Sequence, residues 1–216
     1  MSIKILIVED HPLMQKGIQM TLESEMDFEV IDMVSSAEEA MKSVGKVKPD
    51  LAIIDISLPD MSGIELIKFF RTHEPDLRML VVSRHDEELF AERSIRAGAR
   101  GYIMKMQAGE QIVSAVRKIM NGGIFLSDSM SNKMLMGMAS GAENQVMSPY
   151  ERLSDRELEV FRMTGRGLTT KEISEKLRVS SKTVDSYKAR IREKLNIDNS
   201  SNLLKEAVQW VREKES

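Results

Sequence analysis

The stretch Leu51-Ala52-Ile53-Ile54-Asp55 is a short apolar run that ends in a carboxylate. Two other runs end in charged residues: 5–8 is followed by Glu9-Asp10, and 101–104 by Lys105. A fourth run, 79–82, ends at the hydroxyl of Ser83. Apolar runs of about 4–8 residues that alternate with helical patterns predict buried parallel strands. Because ligands bind beyond the carboxyl ends of parallel strands, we expect these polar side chains to meet at one sheet edge.

Residues 1–122 predict an α/β domain made of five strand–helix units. Pro12 near a helix start, Ser36 before a good helix former and Gly98 after a periodic segment support this division. The arrangement favours a flavodoxin-like (βα)5 fold with right-handed crossovers and the strand order 2-1-3-4-5. The predicted strands are 3–8, 28–34, 51–54, 79–83 and 101–104, and the predicted helices are 12–25, 37–45, 62–73, 87–97 and 108–121.

The remainder of the chain predicts a linker followed by a small helical domain. Residues 123–148 are rich in Ser, Asn and Gly, with a short helix predicted over 128–138. Residues 149–216 predict an all-α four-helix domain that opens on a capping box of Ser154 and Glu157. Its second and third helices are joined by a short turn, which is the helix-turn-helix pattern. In such a motif the later helix, here the third of the domain, enters the DNA major groove. The four helices are predicted at 155–166, 170–177, 181–195 and 199–213.

The composition excludes several classes of site. The chain has no cysteine, which rules out disulfides, zinc thiolate sites and cysteine nucleophiles. No apolar stretch approaches the ~18 residues needed to span a bilayer, so we expect a cytoplasmic protein without a membrane partner. Residues 1–150 hold 16 Lys+Arg against 22 Asp+Glu, and residues 151–216 hold 15 against 12. The basic surplus of the second part favours a polyanionic partner.

The expected cluster of carboxylates indicates a particular chemistry. Glu9, Asp10 and Asp55 at one edge would repel one another without a counter-charge. Mg²⁺ resolves this, because it prefers a few carboxylates together with waters and phosphate oxygens. Lys105 adds a charge suited to a phosphoryl oxygen or to Asp55 itself. A carboxylate nucleophile can accept a phosphoryl group as an acyl phosphate, and positioning and electrostatics then carry the transfer.

These residues resemble the receiver domain of two-component response regulators. The resemblance rests on the segments 9–12 and 55–63 together with Ser83 and Lys105, which occur in the order found in that family. It implies that Asp55 is the phosphoacceptor. By the same resemblance, the ligands of Mg²⁺ are Glu9, Asp10, Asp55 and the backbone carbonyl of Ser57.

The resemblance also assigns the switch residues and shows one departure. Ser83 resembles the receiver residue whose hydroxyl moves to the phosphoryl oxygen. Tyr102 resembles the aromatic switch residue beside it. Receivers often have a proline directly after the lysine, where this chain has Met106. We expect a trans peptide there, since a cis bond before a non-proline residue costs about 2.5–4 kcal/mol. His11 is interpreted as a helix N-terminal residue and not as a metal ligand.

The segments 153–160, 167–174 and 179–184 closely resemble the LuxR-type DNA-binding domain. With the receiver, the chain is identified as a member of the NarL/FixJ family, which implies a transcription regulator phosphorylated by a sensor histidine kinase. Implied partners are double-stranded DNA with a two-fold-related site and a second copy of the chain, with RNA polymerase as a further candidate. The copies are expected to meet through the last helix, around Leu203, Leu204, Ala207 and Val208. The implied phosphate contacts are Lys182, Thr183, Tyr187, Lys188, Arg190 and Lys194, and the implied base contacts are Asp185, Ser186 and Ala189.

Two other functions fit part of the pattern. An aspartyl-phosphate hydrolase of the haloacid dehalogenase kind also uses a strand-end aspartate, but it needs a second aspartate where Ser57 stands. A DNA-binding protein with a vestigial receiver would not need the full set of carboxylates and Lys105. We therefore expect a regulator that is not an enzyme, with gain and loss of a phosphoryl group at Asp55 as its only chemistry.

Overall fold

The computed structural model describes residues 2–139 and 149–215. The chain forms two compact units, Met1–Ala142 and Glu143–Ser216. The predicted domain boundary near residue 148 falls in the segment 140–148, which lies outside the described residues. Among the residues that are described, no helix combines the length and the apolar character needed to cross a lipid bilayer.

The first unit is built on one parallel sheet of five strands, ordered 2-1-3-4-5 by their position in the sequence, which confirms the predicted topology. Every strand lies within one residue of its predicted bounds. The apolar runs 5–8, 51–54 and 79–82 are buried on both faces of the sheet. The strands are β1 Ile3–Val8, β2 Phe28–Val34, β3 Leu51–Ile54, β4 Arg78–Ser83 and β5 Gly101–Met104.

Helices on both faces of the sheet complete this unit. The second helix, Ala37–Val47, runs two residues beyond its predicted end at Gly45 and ends before Lys48, which is left-handed (φ 47°). Lys48 precedes Pro49, and the proline ring disfavours helical backbone at the residue before it. The helices are α1 Pro12–Glu23, α2 Ala37–Val47, α3 Gly63–His73, α4 Glu87–Ala97 and α5 Ala108–Met120.

The core lies between the sheet and these helices. Alternate residues of β1, such as Ile5 and Ile7, belong to a buried cluster that includes residues of α1 and α5. The intervening residues, such as Leu6 and Val8, are equally buried. Successive side chains of a strand point to opposite faces, so the central strands bury both faces and hold their carboxyl ends rigidly.

The segment that follows α5 packs on the first unit. Phe125 runs beside β5, where its carbonyl accepts the N–H of Tyr102 at 2.9 Å and its N–H donates to the carbonyl of Arg100 at 2.9 Å. The N–H of Ser127 donates to Glu87 Oε1 at 3.0 Å, at the start of α4. A further helix, α6 Asp128–Ala139, follows and contacts α4. Part of the stretch predicted as a linker is therefore attached to the first unit.

In its described part, residues 149–215, the second unit has four α-helices. The predicted capping box of Ser154 and Glu157 is present, with both of its hydrogen bonds formed. A second capping box joins Thr169 to Glu172. A side chain on Gly165 would place its Cβ 2.3 Å from the carbonyl oxygen of Ala207, so the first and last helices are in backbone contact. After a short 3₁₀ turn at Pro149–Arg152, the helices are α7 Asp155–Gly165, α8 Thr170–Leu177, α9 Ser181–Leu195 and α10 Ser200–Glu215.

Candidate functional site

The carboxyl edge of the sheet brings together the residues predicted to carry the chemistry. The N–H of Asp55 donates to the carbonyl of Val8 at 2.9 Å, which holds Asp55 beside the end of β1. Gly63 approaches Asp55 so closely that a Cβ there would lie 2.0 Å from the Asp55 carbonyl oxygen. The loop between β3 and α3 can therefore fold back onto Asp55 only because residue 63 has no side chain.

Lys105 lies between two carboxylates. Its Nζ is 2.8 Å from Asp55 Oδ2 and 2.5 Å from Glu9 Oε2. Asp55 and Glu9 are each only 2% exposed. Burial raises the pKa of Glu9 and the charge of Asp55 adds to this, whereas Lys105 acts in the opposite direction. One ammonium group thus offsets only part of the negative charge that the fold gathers here.

The same edge fits a divalent cation. Asp55 Oδ1 is buried and has no hydrogen-bond partner among the described residues. Glu9, Asp10, His11 and Asp55 each offer a ligand atom, and these atoms all lie within 4.8 Å of one another. Three carboxylates against one ammonium leave an excess of about two negative charges when all are ionised. Hard divalent cations prefer such oxygen-rich sites.

The switch residues predicted from the sequence meet at His85. Ser83 is fully buried, and its Oγ accepts the N–H of His85 at 3.3 Å. The hydroxyl of Tyr102 donates to the carbonyl of His85 at 2.8 Å, so the ring is held inside the unit. Burial raises the pKa of Tyr102 far above its usual range. The loop after β4 is therefore connected to both Ser83 and Tyr102.

His85 also reaches the loop between β3 and α3, and sequence reasoning missed it. Its Nε2 lies 2.8 Å from Ser57 Oγ, and its ring packs 4.6 Å from the ring centroid of Phe90. The available signal was spacing, because His85 follows Ser83 by two residues just as Ser57 follows Asp55. Two loops that both follow strands of the sheet are thus joined by a side-chain contact.

Asp60 has a structural role that sequence reasoning also missed. Its carboxylate accepts the N–H groups of Ala37 at 3.0 Å and Glu38 at 2.8 Å, in the first turn of α2. Burial acts to raise the pKa of Asp60, but these backbone bonds outweigh it and the pKa is lowered. The loop between β3 and α3 is therefore anchored to α2 as well as to the sheet.

Met106 lies at the surface beside Lys105. It is 94% exposed and belongs to a single 3₁₀ turn, Lys105–Gln107, that leads into α5. All peptide bonds in the described parts of the chain are trans, as expected for a non-proline residue at this position.

The helix-turn-helix of the second unit consists of α8, a turn and α9. Arg178 adopts the left-handed conformation (φ 53°) that ends α8, and Ser180 Oγ accepts the N–H of Thr183 at 3.0 Å to begin α9. Val184 and Ile191 of α9 are fully buried, whereas Leu195, the third residue of the predicted apolar stripe, is only partly buried. One side of α9 is thereby fixed against its unit.

The other side of α9 presents most of the residues expected to contact DNA. Arg190 is exposed and Tyr187 is half-buried. The Oγ of Ser186 donates to the carbonyl of Lys182 at 2.9 Å. The exposed members of the expected set are Lys182, Asp185, Ser186, Ala189 and Arg190, and the half-buried members are Thr183, Tyr187, Lys188 and Lys194.

Two lysines of this set have partners within the unit. Lys188 Nζ donates to Thr170 Oγ1 at 2.9 Å, and burial lowers the pKa of Lys188 although Asp185 acts against this. Lys194 Nζ lies 2.6 Å from Glu157 Oε2, which joins the end of α9 to the start of α7. A phosphate contact by Lys194 would therefore compete with this ion pair.

The expected contact surface on α10 needs a correction. Leu203 and Ala207 are buried inside their own unit, so the expectation that they contact a second copy is wrong. Ala207 packs against the backbone of α7 at Gly165. Leu204 is 45% exposed and Val208 is half-buried. An open groove on this helix is lined by Leu204, Lys205, Val208, Gln209 and Arg212.

Both units match known families. The response regulator receiver domain matches residues 5–117, and the luxR family of bacterial regulatory proteins matches residues 151–207. The oxygen regulatory protein NreC of Staphylococcus carnosus is 34% identical over 209 residues, which cover 95% of this chain and 96% of NreC. The response regulator GacA of Pseudomonas aeruginosa is 32% identical over 201 residues, which cover 93% of each chain.

A solved structure has a similar fold over nearly the whole chain. The structure of two RcsB dimers bound to two parallel DNAs matches with a TM-score of 0.58 and 25% identity, and covers 95% of this chain and 97% of the RcsB chain. The matches thus include both units and almost the full length of the relatives. The chain belongs to the NarL/FixJ family of two-component response regulators, in which a receiver domain is joined to a LuxR-type DNA-binding domain.

Proposed function

We propose that this response regulator stores its signal as a phosphoryl group on Asp55, received from a sensor histidine kinase. The observation that carries the proposal is the buried Asp55 carboxylate at the end of β3, with Lys105 at 2.8 Å. A strand-end position supports it, because open α/β sheets bind ligands beyond the carboxyl ends of their strands. The family is one of DNA-binding regulators.

In the transfer step, a carboxylate oxygen of Asp55 attacks the phosphorus of a phosphohistidine. The new P–O bond forms as the P–N bond breaks, and the imidazole leaves with the bonding electron pair. Lys105 lies beside Asp55 and shifts from the carboxylate to a phosphoryl oxygen. When bound, Mg²⁺ supplies positive charge to the phosphoryl oxygens. The residues that would hold it are Glu9, Asp10, Asp55 and the backbone carbonyl of Ser57.

The switch follows from the contacts of Ser83. To donate its hydroxyl to the phosphoryl group, Ser83 moves toward Asp55 and changes its contact with the N–H of His85. His85 is held by Tyr102 on one side, and Asp86, the next residue, caps α4. The rearrangement therefore reaches the start of α4, where Glu87 binds the N–H of Ser127.

The signal ends when water attacks the phosphorus of the acyl phosphate. The P–O bond to Asp55 breaks, which regenerates the carboxylate and releases inorganic phosphate. We assign this self-dephosphorylation, and the receipt of the phosphoryl group, as the only chemistry of the chain.

The output of the switch is DNA binding by α9. The exposed residues Asp185, Ser186 and Ala189 would read bases, while Lys182 and Arg190 would contact phosphates. Thr183, Tyr187, Lys188 and Lys194 stay candidates for further phosphate contacts. The RcsB dimers on DNA favour a homodimer on a two-fold-related site. RNA polymerase is a further candidate partner, and contact with chromosomal DNA favours a cytoplasmic location.

Phosphoryl transfer is tested with the full chain and acetyl phosphate as the donor, with Mg²⁺ present or removed by a chelator. We expect one phosphoryl group per chain in the wild type and in Asp76→Ala, whose carboxylate is exposed on the loop after α3. We expect no label in Asp55→Ala and none after chelation. Label that persists in folded Asp55→Ala would show that another residue is the acceptor.

A further inference from the structure

We propose that Thr170 and Lys188 position the carboxylate of Asp185 so that it recognises a cytosine in the DNA major groove. This inference rests on the part of the proposed function that places α9 in that groove. Thr170 begins α8, the helix before the turn, whereas Asp185 and Lys188 lie three residues apart on α9. Side chains three residues apart lie on the same face of a helix, so Asp185 and Lys188 can both reach Thr170.

The hydroxyl group of Thr170 joins the two side chains of α9. Lys188 Nζ donates to Thr170 Oγ1 at 2.9 Å, and this hydroxyl donates to Asp185 Oδ1 at 3.5 Å. An ammonium group can only donate, so the hydroxyl accepts from Lys188 and keeps its single proton for Asp185. Because the second distance is long for a hydrogen bond, the charge of Lys188 supplies part of the hold on Asp185. The carboxylate of Asp185 is thus oriented from inside its own unit.

Lys188 differs from the exposed cations of the same helix. It is half-buried, whereas Lys182 and Arg190 are exposed. Burial lowers the pKa of Lys188, although the charge of Asp185 acts in the opposite direction. Lys188 and Asp185 therefore interact through their charges as well as through Thr170. The inference removes Lys188 from the candidate phosphate contacts and assigns it to Asp185.

A carboxylate on a DNA-binding helix needs this support, because the phosphates of DNA repel it. The ammonium group of Lys188 offsets the charge of Asp185, and Thr170 holds Oδ1. Asp185 is exposed, so its Oδ2 can accept a hydrogen bond from a base. The donors in the major groove are the amino groups of cytosine and adenine. Adenine has the acceptor N7 beside its amino group, and this acceptor repels a carboxylate, so Asp185 favours cytosine.

The test uses the full chain, treated with acetyl phosphate and Mg²⁺, and a pool of random DNA duplexes. Sequences selected by the wild type and by Asp185→Ala identify the base pair that Asp185 contacts. The test variants are Thr170→Val, which keeps the shape of the side chain but loses the hydroxyl, and Lys188→Met, which loses the ammonium group. Thr170→Ser restores the hydroxyl, and Lys182→Met removes an exposed charge from the same helix. Each variant is titrated with duplexes that carry each of the four bases at this position, at several salt concentrations.

We expect the wild type and Thr170→Ser to prefer cytosine about tenfold per half-site, within the usual range for one base pair. This preference should fall about 2–10-fold in Thr170→Val and in Lys188→Met, the range for loss of one hydrogen bond. The salt dependence of binding should stay that of the wild type in both. Lys182→Met should keep the preference for cytosine and reduce the salt dependence by about one unit of slope.

Two sets of results would overturn the inference, and they differ in what they say about the proposed function. If Thr170→Val keeps the full preference, if Lys188→Met behaves like Lys182→Met, or if the base contacted is not cytosine, this inference alone is wrong. If Asp185→Ala changes no base preference, the assignment of Asp185 as a base contact in the proposed function is wrong as well.

Discussion

Gly63 determines whether the loop between β3 and α3 can form. A methyl group at this position would lie 2.0 Å from the carbonyl oxygen of Asp55, and that oxygen belongs to the backbone and cannot turn away. The loop would have to move, and Asp55 would move with it. The chemistry at Asp55 therefore depends on a residue that has no functional group.

We expect Gly63→Ala to lower the free energy of unfolding by about 1–3 kcal/mol, the range for overpacking a close contact. It should also reduce phosphorylation of Asp55 by acetyl phosphate. Gly17→Ala is the matched control, because Gly17 lies within α1 with open space around its Cβ position. Alanine there should stabilise the chain by up to about 1 kcal/mol. Urea unfolding gives the free energy of unfolding of both variants. Equal changes in the two variants would contradict the assigned role of Gly63.

Glu157 joins the start of α7 to the end of α9. Its Oε2 accepts the N–H of Ser154 at 2.7 Å and lies 2.6 Å from Lys194 Nζ, and its side chain is 3% exposed. Burial acts to raise the pKa of Glu157, but Lys194 and the Ser154 N–H outweigh it, so the folded-state pKa is lowered. The ionised form therefore stabilises the fold. This contribution is complete above the unfolded-state pKa and is lost as the pH falls through the lowered folded-state pKa.

We expect Glu157→Gln to destabilise the second unit at pH 7 by about 1.5–3 kcal/mol, the typical value of a hydrogen bond to a charged group. The difference from the wild type should shrink as the pH falls below the usual range of a glutamate, about 4.3. Trp210, the only tryptophan of the chain, is buried in this unit and reports its unfolding by fluorescence. Glu193→Gln, on the exposed side of α9, should have little effect. A difference that is independent of pH would contradict the role of the charge.

We expect substitutions in α9 to affect DNA binding in two different ways, either through affinity for all sequences or through sequence preference. We expect Arg190→Ala to weaken binding to all sequences alike and to reduce the salt dependence of the binding constant by about one unit of slope. Ser186→Ala should change which sequences are preferred and leave the salt dependence unchanged. Selection from a random duplex pool gives the preferred sequences, and titration at several salt concentrations gives the salt dependence of binding. If Arg190→Ala changed base preference instead, α9 would lie in the groove in another orientation.

The elements could be predicted from sequence because their signals are local. The apolar run that ends at Asp55 specifies β3, and the capping box at Ser154 and Glu157 begins α7. The contacts of His85 and Asp60 could not be predicted in this way, because each joins loops that lie far apart in the chain. The packing of Phe125 along β5 was missed for the same reason.

At the scale of the whole molecule, phosphorylation must change the balance between two states. Hydrogen bonds of the first unit connect Ser83 to His85, the start of α4 and the segment before α6, which leads toward the second unit in sequence. A phosphoryl group can shift this balance only by binding one state better than the other. Coupling free energies between two sites are typically about 1–3 kcal/mol, or about 5–150-fold in affinity.

The most direct test of this account is the affinity of the full chain for a selected DNA duplex, measured with and without acetyl phosphate and Mg²⁺. For the wild type, we expect phosphorylation to tighten binding about tenfold, which corresponds to ~1.4 kcal/mol. For Asp55→Ala, we expect the same affinity in both conditions. An unchanged affinity of the wild type with Asp55 fully phosphorylated, or an equal response of Asp55→Ala, would contradict the claim that Asp55 gates DNA binding.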